Sequence, residues 1–295
     1  MKFVFLLICQ CCLLIACSPV ASQIDKIQGR TMGTTYSVLW PAHQDVAASQ
    51  VQSDIDQLLI GINSQMSTYQ SDSELSVFNA SLAPHEQTIS PQFAQVIAQS
   101  LSLNDLTQGY FDISVGPLVN LWGFGPDLKS LVAPSETQLN EARGRVGLRA
   151  ISLQDLKLSK TDARYLDLSA IAKGFAVDEV ANLLDELMIP AYLVEIGGEI
   201  RVKGQKPQGK AWKVAVEAPD FNERRVQKIL PLKDVSMATS GDYRNYFEEK
   251  GQRYSHSINP FTAQPIKHQL ASVTIIDESC ARADALATAM LVMGE

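Results

Sequence analysis

Four of the five cysteines lie in the first seventeen residues, at Cys9, Cys11, Cys12 and Cys17, and the fifth is Cys280. Beyond residue 17 the chain therefore has a single thiol and no possible internal disulfide. A segment of that length must hold together through an apolar core alone, and it is long enough to build one large domain or two small ones.

The cysteine-rich end is itself informative. Lys2 precedes the apolar run "FVFLLICQCCLLIA" (3–16), which is short for a bilayer span and of the right length for a secretory signal peptide. It ends in "LIAC" (14–17), which resembles the bacterial lipobox, where a diacylglycerol is attached to the cysteine. The expected organisation is a signal peptide over 1–16, a lipidated tether over 17–28 and one domain over 29–295. The chain stops straight after a helical pattern, so a final sheet element is expected to be missing. The expected location is the bacterial cell envelope, anchored at Cys17 and facing the periplasm. With 25 Lys and Arg against 32 Asp and Glu, the formal charge is −7, and no basic run is present. That balance argues against a nucleic-acid partner.

Periodicity predicts a strand over 33–40 and helices over 44–66 and 90–107, the latter with Ser90 as N-cap and Pro91 in its first turn. A short strand around Tyr165–Leu168 should lead into a helix over 167–187. Two strands are expected around Gly197–Gly198, more over 212–219 and 271–277, and a helix over 283–294. The segment 123–138 reads as a loop or a subdomain join. Strands paired as hairpins among helices imply an α+β fold with largely antiparallel sheets flanked by helices.

Within this frame, "DLSAIAKG" (167–174) places Asp167 and Lys173 six residues apart in an apolar stretch. A helical ion pair needs a spacing of three or four, so the two charges should serve other partners. Asp284 and Thr288, at i and i+4, share a helical face. They read either as a helix-end acid with a back-bonded threonine, or as two oxygen ligands for a hard cation. His256 precedes an Asn-Pro turn and could steady a phosphate or move a proton. Arg244 could clamp a phosphate or sit in a solvated pair. Tyr69, Tyr110, Phe111 and Asp112 fall on turns rich in polar residues, Gly and Pro, and Met32 just precedes a strand.

Singly these are weak signals. In order, "GRTMGTTYS", "MSTYQSDSELSVFN", "GYFDISVGPLVNLWGFG", "LDLSAIAKGFAVDEV", "YLVEIGGEIRVKG", "SHSINPFT" and "ADALATAM" together resemble the FAD:protein FMN transferase family, the ApbE-type lipoproteins. The resemblance runs from about Gly29 to the C-terminus. It implies an ApbE-like α+β fold related to T-folds. It also implies an activity: FAD is split at its pyrophosphate, FMN is joined to a Thr or Ser hydroxyl of a target protein, and AMP leaves. Targets in the family are subunits of membrane redox pumps, such as sodium-translocating NADH:quinone reductase and Rnf-type complexes. By the same resemblance, Met32, Tyr69, Tyr110, Phe111, Asp112, Asp167, Lys173 and Ile258 match FAD contacts. The main-chain oxygen of Ala170 and the side chains of Asp284 and Thr288 match Mg²⁺ ligands. His256 matches a histidine near the phosphates, and Asp284 is the candidate base. One departure is Ala263, where the family pattern leads one to expect glycine. Two other activities would use the same residues: a Mg²⁺-dependent FAD pyrophosphatase, and a lipoprotein that binds flavin without chemistry.

Overall fold

The computed structural model describes residues 23–42, 46–126, 132–219, 223, 225–243 and 245–295. The proposed signal peptide, Cys17 and Arg244 lie outside the described residues. The sheet starts earlier than the sequence suggests. Strand β1 (Ile24–Thr31) pairs with β2 (Thr34–Pro41) from Ile24 opposite Pro41 onward. Residues 24–28, read above as tether, are thus sheet, with Ile27 buried.

Helix α1 (Ala48–Met66) buries Val51, Ile55, Leu59 and Ile62 along one stripe. A short α2 (Glu74–Ala80) follows, capped by Ser73, then β3 (His85–Thr88). Helix α3 (Pro91–Leu106) has Ser90 as its cap, as the sequence predicts. Next come α4 (Gly116–Leu121) and α5 (Glu136–Arg143). The strands β4 (Ile151–Gln154) and β5 (Lys157–Lys160) join β3 in a small sheet that sequence reasoning missed, because each is only four residues long.

The segment 163–168 is extended but forms no strand. It is held instead by Asn79, whose side chain donates to Leu166 O and accepts from Leu166 N, both at 2.8 Å, and by Asp167 N donating to Ile113 O at 2.7 Å. Helix α6 (Ala172–Glu186) starts five residues later than expected, because residues 169–171 are a turn organised by Asp167. The hairpin β6 (Tyr192–Ile196) and β7 (Glu199–Lys203) turns at Gly197 and Gly198, both at positive φ. A second hairpin, β8 (Trp212–Glu217) and β9 (Val226–Leu232), leads into β10 (Val235–Gly241). Two small ribbons follow, β11 (Tyr246–Glu249) with β12 (Gln252–Ser255), and β13 (Ile258–Asn259) with β14 (Gln264–Pro265). The described chain ends in β15 (Ser272–Asp277) and α7 (Cys280–Met293), which is capped by Ser279 and begins three residues before the predicted start.

The central sheet has the order β1-β2-β6-β7-β10-β15, and every pairing in it is antiparallel. Strand alternation sends Tyr36, Val38, Trp40, Tyr192, Val194 and Ile196 into the main core with α1, α3, α6 and α7. Leu39, Leu193, Val202 and Met237 face the other way, into a second core under the β8–β9 hairpin and Trp212. The fold is therefore α+β and largely antiparallel, as expected. Its consequence for function is at one end of the sheet. The β6–β7 turn, the end of β10, the N-terminus of α6 and the second turn of α7 meet there.

Candidate active site

At that end lies a cavity of about 410 Å³. Its wall contains Tyr69, Tyr110, Phe111, Asp112, Asp167, Ala170, Lys173, His256, Ile258, Asp284 and Thr288. Eleven residues singled out from the sequence, spread over 220 positions, thus surround one space. Met32 does not line it. It sits in the β1–β2 turn at φ 48°, packed against the main core.

The two charges of "DLSAIAKG" serve different partners. Asp167 Oδ1 accepts from Ser169 N at 2.8 Å and from Ser169 Oγ, closing the turn before α6. Lys173 Nζ lies 3.5 Å from Asp284 Oδ2 and 3.4 Å from Glu199 Oε1, and donates to Ser169 O. Burial works against the Lys173 charge, but the Asp284 and Glu199 carboxylates outweigh it and raise its pKa. Asp284 is 3% exposed, and its Oδ2 also accepts from Gly174 N at 3.1 Å, in the first turn of α6. An anion at a helix N-terminus is favoured there. One turn on, Thr288 Oγ1 lies 3.0 Å from Ser240 Oγ of β10.

Glu199 was missed by sequence reasoning. It is 3% exposed, and burial pushes its carboxyl up to about 8 despite the opposing pull of Lys173. The signal was available in "EIGGEIR": an acid placed in an apolar strand directly after a two-glycine turn, the same kind of misfit that marks Asp167 and Lys173. Asp112 accepts from Ser114 N and Oγ, and burial raises its pKa despite those bonds.

His256 Nδ1 lies 3.1 Å from Asn245 O. A carbonyl only accepts, so Nδ1 carries the proton and Nε2 is left as an acceptor. Burial lowers the imidazole pKa, with the nearby Lys173 charge acting in the same direction, so the neutral ring is favoured. Below it is an aromatic group: Phe124, which lines the cavity, stands 5.7 Å from Phe247, which stacks on Tyr254 at 5.0 Å.

The turn after His256 resolves the position of Ala263. It adopts φ 58°, the left-handed region that favours glycine, and is wholly buried. Its N–H donates to Asn259 O and its carbonyl accepts from Trp122 Nε1, both at 2.9 Å. The turn forms without adjustment and the alanine bears the strain, about 1–2 kcal/mol. Ala263→Gly relieves that strain but loses a buried methyl worth about 0.8 kcal/mol and adds unfolded-chain freedom. It is expected to leave the melting temperature within a few degrees. Ala263→Val puts a branched side chain in the same conformation and the same closed space, and should cost about 2–4 kcal/mol. Thermal denaturation of both variants checks the pair, and a well-tolerated valine would contradict the account.

The ApbE family model matches residues 32–295. The chain belongs to the ApbE family. It is 47% identical over 285 residues to an FAD:protein FMN transferase of Vibrio cholerae serotype O1, covering 96% of this chain and 85% of that protein. It is 43% identical over 283 residues to an FAD:protein FMN transferase of Haemophilus influenzae, covering 93% and 82%. Among solved structures, the flavin transferase ApbE from Vibrio cholerae superposes with a TM-score of 0.86 at 44% identity, over 93% of this chain and 88% of that one. The apo form of Pseudomonas stutzeri flavinyl transferase ApbE gives 0.86 at 39% identity, over 93% and 86%.

Proposed function

We propose that this ApbE-family chain is an FAD:protein FMN transferase that moves the FMN half of FAD onto a Thr or Ser hydroxyl of a target protein and releases AMP. The observation that carries the reading is the convergence of Lys173, His256, Asp284 and Thr288 on one cavity beside aromatic and hydroxyl-bearing walls. The targets are exported redox-pump subunits of the NADH:quinone reductase or Rnf type. Attachment to the cell envelope through Cys17, facing the periplasm, rests on the "LIAC" pattern.

A divalent cation, Mg²⁺, fits the donor set. Among the described residues no group of three or more His, Cys, Asp or Glu could hold a metal ion, so a cation here needs mixed oxygen ligands. Three are at hand. The hydrogen bond and ion pair of Asp284 both go to Oδ2, which leaves Oδ1. Gly174 N, which would ordinarily reach back to Ala170 O along the helix, turns to Asp284 instead, and among the described residues no hydrogen bond reaches that carbonyl. Thr288 Oγ1 is the third. Oxygen ligands of this kind suit a hard cation. When bound, Mg²⁺ neutralises the pyrophosphate and polarises phosphorus.

The protein's own groups do the rest. Lys173 adds fixed positive charge at the cavity wall. Tyr69, Tyr110 and Phe111 offer flat surfaces to the ring systems of FAD. As the target hydroxyl attacks the FMN phosphorus, a new P–O bond forms and the pyrophosphate bridge breaks, with its electron pair leaving on AMP. The hydroxyl proton needs an acceptor. Asp284, the candidate from the sequence, commits Oδ2 to Gly174 and Lys173 and would give Oδ1 to the cation, whereas His256 offers an unprotonated Nε2. We assign proton removal to His256 and cation binding to Asp284. General-base help of this kind is worth roughly 10²–10⁴-fold.

Incubation with FAD, Mg²⁺ and a candidate target subunit should give covalent flavin fluorescence on the subunit in a denaturing gel, together with AMP. AMP with free FMN and an unlabelled subunit would make the protein a hydrolase instead. FAD recovered intact would make it a binding protein. EDTA is expected to stop turnover, and full activity in EDTA would remove the cation from the account.

A further inference from the structure

Asp178 lies on α6, five residues beyond Lys173, yet its carboxylate is directed at another helix. Oδ1 accepts from Cys280 N at 3.0 Å and from Arg201 Nη1 of β7. Oδ2 accepts from Ser279 Oγ at 2.9 Å and from Ala281 N at 3.0 Å. One carboxylate thus takes the cap residue and the first two N–H groups of α7, which a helix leaves unmet. Helix α7 already has a cap of its own, since Ser279 Oγ accepts from Arg282 N. What Asp178 adds is a fixed relation between α6 and α7.

That relation matters because each helix carries half of the candidate cation site. Ala170 stands in the turn that leads into α6 and Lys173 in its first turn, and Asp284 and Thr288 stand four and eight residues beyond Cys280 on α7. A helix moves as a rod, so sliding α7 along its axis displaces Asp284 and Thr288 together relative to Ala170 O. Gly174 allows the close approach: a Cβ there would lie 2.4 Å from Cys280 O. Magnesium demands near-ideal octahedral geometry at about 2.0–2.1 Å, so a slip of a fraction of an ångström is felt.

We propose that Asp178 is a positioning residue that sets the axial register of α7 against α6 and so brings Asp284 and Thr288 into ligand distance of the Ala170 carbonyl. This rests on the reading of those three groups as a cation site. It predicts that the lesion appears in cation affinity rather than in flavin binding.

The test uses the full chain with Asp178→Asn. The amide keeps an oxygen for Cys280 N and Arg201 but turns an NH₂ toward Ser279 Oγ and Ala281 N. Mn²⁺ affinity is read by electron paramagnetic resonance in the presence of FAD, FAD affinity is read in EDTA, and thermal denaturation is recorded alongside. The expected result is FAD binding within about twofold of wild type and Mn²⁺ affinity weakened about tenfold. A merely structural role would lower the melting temperature without changing the Mn²⁺ dependence of the folded molecules. If Asp178→Asn does not fold, Ser279→Ala removes one of the four bonds together with the Ser279 cap, and should weaken Mn²⁺ binding two- to threefold, whereas Ser279→Gly, which loses the same side chain at little capping cost, should weaken it equally. Unchanged Mn²⁺ affinity in folded Asp178→Asn, or in Ser279→Ala where that variant decides, overturns the proposal. Wild-type protein that binds Mn²⁺ no better than Asp284→Ala would sink the cation site itself, and the register proposal with it.

Discussion

Asp284→Ala is expected to abolish FMN transfer, by at least about 10³-fold, while the protein stays folded and still binds FAD. The size follows from what the residue does in the proposed site. It supplies the one carboxylate oxygen among the three cation ligands, and loss of the cation's charge removes several kcal/mol of transition-state stabilisation, at about 1.4 kcal/mol per tenfold in rate. The fold should survive because the other partners of its neighbours remain. Lys173 keeps Glu199 at 3.4 Å and Ser169 O. Gly174 N loses its acceptor, a cost of about 1–3 kcal/mol. Flavin binding should persist because Tyr69, Tyr110, Phe111 and Ile258 lie on other elements of the cavity wall. The measurements are labelling of a target subunit, FAD binding by flavin fluorescence and thermal denaturation. Transfer at the wild-type rate would take Asp284 out of the mechanism.

How far the sequence could be read depended on whether a signal was local. Helix α3 was legible because Ser90, Pro91 and its apolar spacing lie within one segment. The β6–β7 hairpin was legible from Gly197 and Gly198 between alternating strands. The start of α6 was not, because what delays it is the Asp167 side chain closing a turn through Ser169. The three short strands β3, β4 and β5 were not, since four residues are too few to set a pattern and β3 carries no apolar residue at all. At the site, the ordered motifs pointed to residues that the fold then gathered around one cavity. They could not show that Glu199 shares Lys173 with Asp284, because that contact joins β7, α6 and α7. Nor could they choose between Asp284 and His256 as the proton acceptor. The proposed choice of His256 rests on Asn245 O fixing the imidazole tautomer, and on Asp284 committing Oδ2 to Gly174 N and Lys173 and Oδ1 to the proposed cation.

Gly174→Ala offers the sharpest contrast between what the sequence and the structure predict. Gly174 lies within helix α6 at ordinary helical φ, and by propensity alone alanine there should stabilise the helix by roughly 0.5–1 kcal/mol. The structure predicts the opposite sign. An added Cβ would stand 2.4 Å from Cys280 O, 2.7 Å from Cys280 C and 2.8 Å from Ala281 Cα. All three are backbone atoms, so no side chain can turn aside, and the start of α7 must move. Overpacking of this kind costs about 1–3 kcal/mol, and contact with backbone on a second helix places it at the upper end. The same displacement carries Asp284 away from Gly174 N and from the Ala170 carbonyl. A misplacement of about 1 Å at a reacting centre can cost about 10²-fold in rate, and transfer should fall by about that factor in whatever protein remains folded. Urea denaturation and target labelling read the two effects separately. A variant as stable as wild type, or more stable, would mean that α6 and α7 are not packed as closely as described, and the shared site between them would lose its footing.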